Sequence, residues 1–223
     1  MGSLRFPGKM LQKLGRHSLI EWVMTRALDA TSVDEVVLAT STKAENDPLE
    51  DCASQLGIAT FRGDESDVLD RYVKAANRFK ADHIIRICAD NPFVAPEEVD
   101  RLIEVYATRR PDYAFNHVPR MSNNYPDGLG AEIFPRSVLE KLDRVAREQR
   151  YREHVTLYVW DHPNQFTISS FAAPSPIAYP AVKLDVDTEE DLRRLQNLPC
   201  VHDIHASAQT VVDNYRAQYG AVV

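Results

Sequence analysis

Three groups of residues in this 223-residue chain carry side chains suited to phosphate and metal chemistry. The first is Met1-Gly2-Ser3-Leu4-Arg5-Phe6-Pro7-Gly8-Lys9, a glycine-bearing basic loop. Backbone N–H groups of such a loop can face phosphate oxygens, while Arg5 offers a bidentate contact and Lys9 a point charge. It is not a Walker A loop, because GxxxxGK[ST] is absent. A solvated terminus with two chance cations explains the segment about as well. The second is Asp90, which follows an Ile-rich run and precedes Asn91-Pro92. A carboxylate at the carboxyl end of a strand can hold a hard divalent ion against a triphosphate, although a turn-forming Asp-Asn-Pro would look the same. The third is Asp185-Val186-Asp187, leading into Thr188-Glu189-Glu190-Asp191. Helix-start chemistry explains Glu189 to Asp191. It does not explain Asp185, an acid inside an apolar stretch. Taken together, a basic loop and strand-end carboxylates suit one or two Mg²⁺ ions and an in-line attack at an α-phosphorus, with pyrophosphate expelled.

The elements that must position these groups alternate short apolar runs with helical periods, as in a layered α/β fold. Ser18 and Glu21 form a capping-box pattern ahead of a helix striped by Leu19, Ile20, Val23, Ala27 and Leu28. Strands are expected at 35–40, 58–61, 83–88, 112–116, 131–134, 166–171 and 182–186. In the last of these, Asp185 and Asp187 would share one face. Helices are expected near 48–56, 68–79, 137–146, 153–160, 189–197 and 204–219, and from Pro96, where Glu97 and Glu98 suit the positive helix end. The polar stretch 117–125 reads as a loop. No internal repeat or domain-separating linker interrupts the pattern.

The bulk composition narrows the class. Apolar residues make up 44% of the chain and the formal net charge is −7, which argues against a non-specific nucleic-acid or anionic-membrane binder. No apolar run approaches the ~18 residues of a membrane helix, and the start lacks the layout of a secretory signal. Cys52, Cys88 and Cys200 form no CxxC pair and read as thiols of a reducing compartment, with the cytoplasm as the expected location.

Six ordered segments then resemble the cytidylyltransferases that make CMP-sugars, the acylneuraminate and 3-deoxy-manno-octulosonate types and above all the spore coat polysaccharide biosynthesis type. Residues 1–9 resemble RMxSxRLPGK, and residues 63–72, ending Asp67-Val68-Leu69-Asp70-Arg71-Tyr72, resemble G(S/D)xxDVLDRY. Residues 86–92 resemble RIxxDxP and residues 125–132 resemble YPDGLxxE. Residues 152–156 resemble REHVT, and residues 187–192 resemble DTPEDL. The resemblance implies a Rossmann-like nucleotide-diphosphosugar transferase fold of three layers around a mixed, mostly parallel sheet. It also implies CTP as donor, a sugar or sugar acid as acceptor, Mg²⁺, and a homodimer. By similarity Ser3, Arg5 and Lys9 hold phosphates, with Asp67 and Arg71 also beside the nucleotide. Asp90 and Asp187 hold metal, with Asp185 as an extra ligand. Asp127, Gly128, Glu132, Arg152 and His154 face the sugar, though His154 equally suits a structural helix-start role.

The family carries an apolar strand ahead of the basic loop, whereas this sequence begins inside the loop. The expectation is therefore a sheet lacking its first strand, with neighbouring backbone groups exposed. A start assigned too late would account for this. The expected organisation is a cytidylyltransferase-like domain over 1–199 and a helical extension over 200–223. Two other readings share the fold: a nucleotide-sugar pyrophosphorylase using another NTP, and a non-catalytic homologue acting as a scaffold.

Overall fold

The computed structural model describes residues 6–220, so Ser3 and Arg5 lie outside the described residues. A small antiparallel hairpin, β1 (Lys13–Leu14) and β2 (His17–Ser18), leads into α1 (Leu19–Leu28). The Ser18 hydroxyl accepts from the Glu21 N–H, and the Glu21 carboxylate accepts from the Ser18 N–H, so the expected capping box starts this helix. Strand β3 (Val37–Ser41), α2 (Asp47–Gln55) and β4 (Ala59–Gly63) make a parallel β-α-β unit. Then α3 (Val68–Phe79) is capped by Asp67, whose carboxylate accepts from the Asp70 N–H, and it ends at Lys80 in the left-handed region.

A mixed sheet follows in the order β5-β7-β6-β8, built from β5 (His83–Arg86), β6 (Tyr113–Phe115), β7 (Glu132–Pro135) and β8 (Ile168–Ser169). Both pairings of β7 are antiparallel, and β6 with β8 is parallel. Helix α4 (Pro96–Arg109) separates β5 from β6. Helices α5 (Arg136–Val145), α6 (Gln149–Glu153), α7 (Leu157–Asp161), α8 (Glu189–Gln196) and α9 (Ala208–Tyr219) complete the layers.

Two large cores result. The first joins α1, α2, α8 and α9 with Phe93, Tyr125 and the 182–186 segment. The second joins α3, α5, α6 and α7 with the four-stranded sheet. Helix α9 buries Val211, Val212 and Tyr215 in the first core, so it packs within the main body. Buried Arg26 ties α1 to the segments ahead of α4 and α9 by donating to the carbonyls of Val94 and Ile204. Among the described residues, β3 pairs only with β4 and β5 only with β7. A cleft of about 1270 Å³ lies between β3 and β5.

Three expected elements differ. The helix expected over 153–160 is broken into α6 and α7, with His154 closing α6 and Thr156 preceding α7. The strand expected over 166–171 shrinks to two residues. Residues 182–186 form no strand: Lys183 bridges Asp127 alone, and the Val186 N–H turns away to the Asp90 carbonyl. Alternating apolar residues report that one side is buried, and here that side faces a packed core rather than a ladder.

Candidate functional site

Lys9 stands at the centre of the site. It opens a single 3-10 turn, Lys9–Leu11, with its own N–H bonded to the Phe6 carbonyl at 3.2 Å. Its Nζ donates to the Val186 carbonyl at 2.8 Å and to Asp90 Oδ2 at 3.3 Å. Asp187 Oδ1 lies 3.7 Å away. The Lys9 side chain is 13% exposed against 33% and 38% for the two aspartates. The ammonium is therefore largely enclosed while the carboxylates keep an open side. The Val186 N–H donates to the Asp90 carbonyl at 2.8 Å, so the two acidic segments are stitched directly together. Thr188, with Asp191 completing a capping box, then starts α8 and fixes the chain just after Asp187.

Asp127 reaches the same region by a different route. Its N–H bonds to the Val182 carbonyl, and its carbonyl accepts from the Leu184 N–H. Gly128 makes that approach possible. Its φ is +87°, and a Cβ there would sit 3.0 Å from the Asp185 nitrogen and 3.1 Å from the Leu184 carbonyl carbon. Burial, followed by the negative charge of Asp185 and then of Asp90 and Asp187, pushes the Asp127 carboxyl up to about 6, against the pull of Lys183. Burial likewise raises Asp185, whose Oδ1 is buried without a hydrogen-bond partner. Asp90, Asp127, Asp185 and Asp187 thus form an electronegative cluster with Lys9 set into it. Among the described residues, no three His, Cys, Asp or Glu side chains converge tightly enough to enclose an ion as they stand.

Arg71 lines the large cleft that Lys9 and Asp90 also line, and a smaller polar pocket with Thr40, Ser41 and Glu153. Its side chain packs against Gly63, where a Cβ would meet Arg71 Cγ at 2.9 Å. Its Nε is buried without a partner, and its Nη1 donates to the Asp64 carbonyl.

Three expected ligand residues are committed elsewhere, for reasons visible in their contacts. Glu132 is 2% exposed and paired with Arg86, and it accepts from the Tyr113 hydroxyl at 2.8 Å. Burial alone would raise its pKa, but Arg86 and then His117 hold it below the usual carboxylate range. It serves in the fold as the buried counter-ion of Arg86. Arg152 pairs with Asp67 at 2.9 Å and with Asp143 at 2.8 Å, bracing the α3 cap against α5. Asp67 therefore serves both the α3 cap and the brace to Arg152. His154 is exposed at the end of α6, where its backbone N–H bonds to the Arg150 carbonyl.

Sequence reasoning also missed supports. It assigned Asp127 to the sugar and not to the carboxylate cluster. It passed over Asn116, whose side chain accepts from the Ala131 N–H and donates to the Glu98 carbonyl. The signal available was Gly130, where a Cβ would lie 2.2 Å from Asn116 Oδ1.

Comparison with known proteins places this geometry in context. A family model described as cytidylyltransferase matches residues 1–214, running into α9. The chain is 36% identical over 203 residues to the spore coat polysaccharide biosynthesis protein SpsF of Bacillus subtilis, covering 89% of this chain and 82% of that protein. A 3-deoxy-manno-octulosonate cytidylyltransferase of Pelobacter propionicus is 32% identical over 103 residues, 45% of this chain and 39% of its own length. Among solved structures, a cytidylyltransferase from Leptospira borgpetersenii superposes with a TM-score of 0.90 at 25% identity, over 100% of this chain and 92% of its own. A CMP:2-keto-3-deoxy-manno-octonic acid synthetase complexed with CTP superposes with a TM-score of 0.64 at 20% identity, over 87% and 92%, a likeness of fold.

Proposed function

The chain belongs to the cytidylyltransferase family, and from that premise we propose that it transfers CMP from CTP to an acidic or modified sugar, releasing pyrophosphate, in surface-glycan biosynthesis. The observation that carries this reading is the convergence of Lys9 on Asp90, Asp187 and the Val186 carbonyl, from segments 81 and 177 residues away in sequence.

Lys9 binds phosphate oxygens in this reading, exchanging its carboxylate partners for the triphosphate. Asp90 and Asp187 are the metal-holding residues, with Asp185 alongside. The donor set fits Mg²⁺: all are hard carboxylate oxygens, one buried Asp185 oxygen has no hydrogen bond and only Lys183 at 4.0 Å, and burial followed by the neighbouring carboxylates raises Asp127. When bound, the ion supplies charge neutralisation at the phosphates. Arg71 lines the same cleft as Lys9 and Asp90 and is proposed to contact the nucleotide. The acceptor hydroxyl attacks the α-phosphorus, and the bond to the β-phosphate oxygen breaks.

Pyrophosphate release from CTP with Mg²⁺ and a panel of neuraminic, other nonulosonic and octulosonic acids tests the proposal. Turnover with at least one acceptor is expected. Lys9→Met should lower kcat by about 10²–10³-fold, as removal of an electrostatic anchor does. A thermal-shift comparison of four NTPs with Mg²⁺ should show CTP alone stabilising the fold. Stabilisation by another NTP instead would overturn the choice of donor.

A further inference from the structure

Two segments that carry carboxylates of the acidic cluster are fastened to each other by a buried polar scaffold. The first runs from Asp90 into the opening turn of α4, and the second from Tyr125 through Asp127 to Ala131. They meet in several places. A Cβ at Gly128 would lie 3.4 Å from Asn91 Oδ1, so the turns bearing Asp90 and Asp127 stand side by side. The Ala95 N–H donates to the Leu129 carbonyl at 2.7 Å. The Tyr125 hydroxyl donates to Glu98 Oε2 at 2.6 Å. The Asn116 carboxamide donates to the Glu98 carbonyl and accepts from the Ala131 N–H, both at 2.9 Å. Glu98 is the costly member of this set. It is 2% exposed, and burial raises its carboxyl against the opposing pull of the Tyr125 hydroxyl and of Arg101, which lies 3.1 Å away. Tyr125 is fully buried as well. A buried carboxylate and hydroxyl stabilise a fold little better than apolar groups of the same shape, but a satisfied polar pair fixes one geometry.

We propose that Glu98 is a positioning residue for the nucleotidyl transfer: by holding the Tyr125 hydroxyl, it sets the place of Asp127 against Asp90. Tyr125 stands two residues ahead of Asp127, whose own backbone bonds run the other way, to Val182 and Leu184. Without the Glu98 anchor the 125–128 turn keeps its hold on the 182–184 segment and loses its side-chain tie to α4. Asp127 is then located against Asp185 but no longer against Asp90. Displacing a group of the site by about 1 Å from a distance can cost roughly 10²-fold in rate. The effect on turnover rests on the CTP reading, whereas the effect on the Asp127 turn rests on the contacts alone.

Four variants of the full chain test it: Tyr125→Phe, Glu98→Ala, Glu98→Gln, and Tyr125→Phe combined with Glu98→Ala. Hydrogen exchange without nucleotide is the first readout. In Tyr125→Phe and Glu98→Ala the N–H groups of Asp127, Gly128 and Leu184 should exchange about fivefold faster or more, while those of β3 and β4 keep their parental rates. Glu98→Gln retains an oxygen that accepts from Tyr125 and should stay within about twofold of the parent. Steady-state kinetics with CTP and an accepted sugar is the second readout. Tyr125→Phe and Glu98→Ala should each lower kcat about tenfold with the CTP KM within roughly threefold, and Glu98→Gln should restore kcat. The double variant should be no slower than either single one, because both remove the same contact. Unchanged exchange at the three groups, faster exchange throughout the chain, or additive losses in the double variant overturn the positioning role. A parent that turns over no acceptor overturns the proposed function, and the exchange pattern still decides this inference.

Discussion

At the scale of single residues, Asp127 makes the charge balance of the site measurable. An unperturbed Asp titrates near about 3.9, whereas Asp127 is raised to about 6 by burial and its acidic neighbours. Between those values the folded chain holds more protons than the unfolded one. Stability therefore falls as pH rises through this window, and the penalty is fully present above it. The upper bound is about 2–3 kcal/mol. Asp127→Asn should be more stable than the parent in urea denaturation at pH 7.5, with the difference shrinking toward zero near pH 4. A constant difference across pH would mean that Asp127 is not held in a repulsive field. Lys9, Asp90 and Asp187 each have a bland structural use when taken alone, and only their combination in the sequence pointed to the convergence that the structure shows. The ion pairs of Glu132 and Arg152 were not legible, because membership in a motif does not distinguish a side chain facing a ligand from one paired inside the protein. Their partners are Arg86, 46 residues from Glu132, and Asp67, 85 residues from Arg152, with Asp143 nearer in sequence.

Among elements, those with local punctuation were readable. Helix α3 runs over the very residues expected, because Asp67 caps it and its apolar face repeats cleanly. The 182–186 segment was not, since a ladder depends on a distant partner and this one meets Asp127 at a single bridge. The brace from Arg152 to the α3 cap and to α5 sets a second expectation. Arg152→Ala should destabilise the fold by about 1–2 kcal/mol, the range for a partly exposed two-carboxylate pair. It should leave kcat and the acceptor KM within roughly threefold of the parent. Chemical denaturation and steady-state kinetics on one preparation separate the two readings. A selective rise in acceptor KM would return Arg152 to the binding site.

For the whole molecule, the split sheet leaves two cores with a cleft between two of their strands, and the sequence supplies one reporter for each. Trp22 is fully buried in the first core, its indole donating to the Leu14 carbonyl, and Trp160 packs against the second beside Phe115. Two bodies of this kind need not unfold as one. Fluorescence of Trp22→Phe and Trp160→Phe variants should give urea midpoints that differ from each other by more than the shift each substitution causes by far-UV circular dichroism. Coincident midpoints would show a single cooperative unit. The lysine seated among the aspartates has one more consequence. Because the chain brings its own cation to the acidic cluster, the resting protein is expected to stay folded without a divalent ion. Dialysis against EDTA should leave Tm unchanged while abolishing turnover. Nucleotide and metal should then load as a pair, each weakly alone, since displacing the built-in counter-ion takes an incoming anion and a replacement cation together.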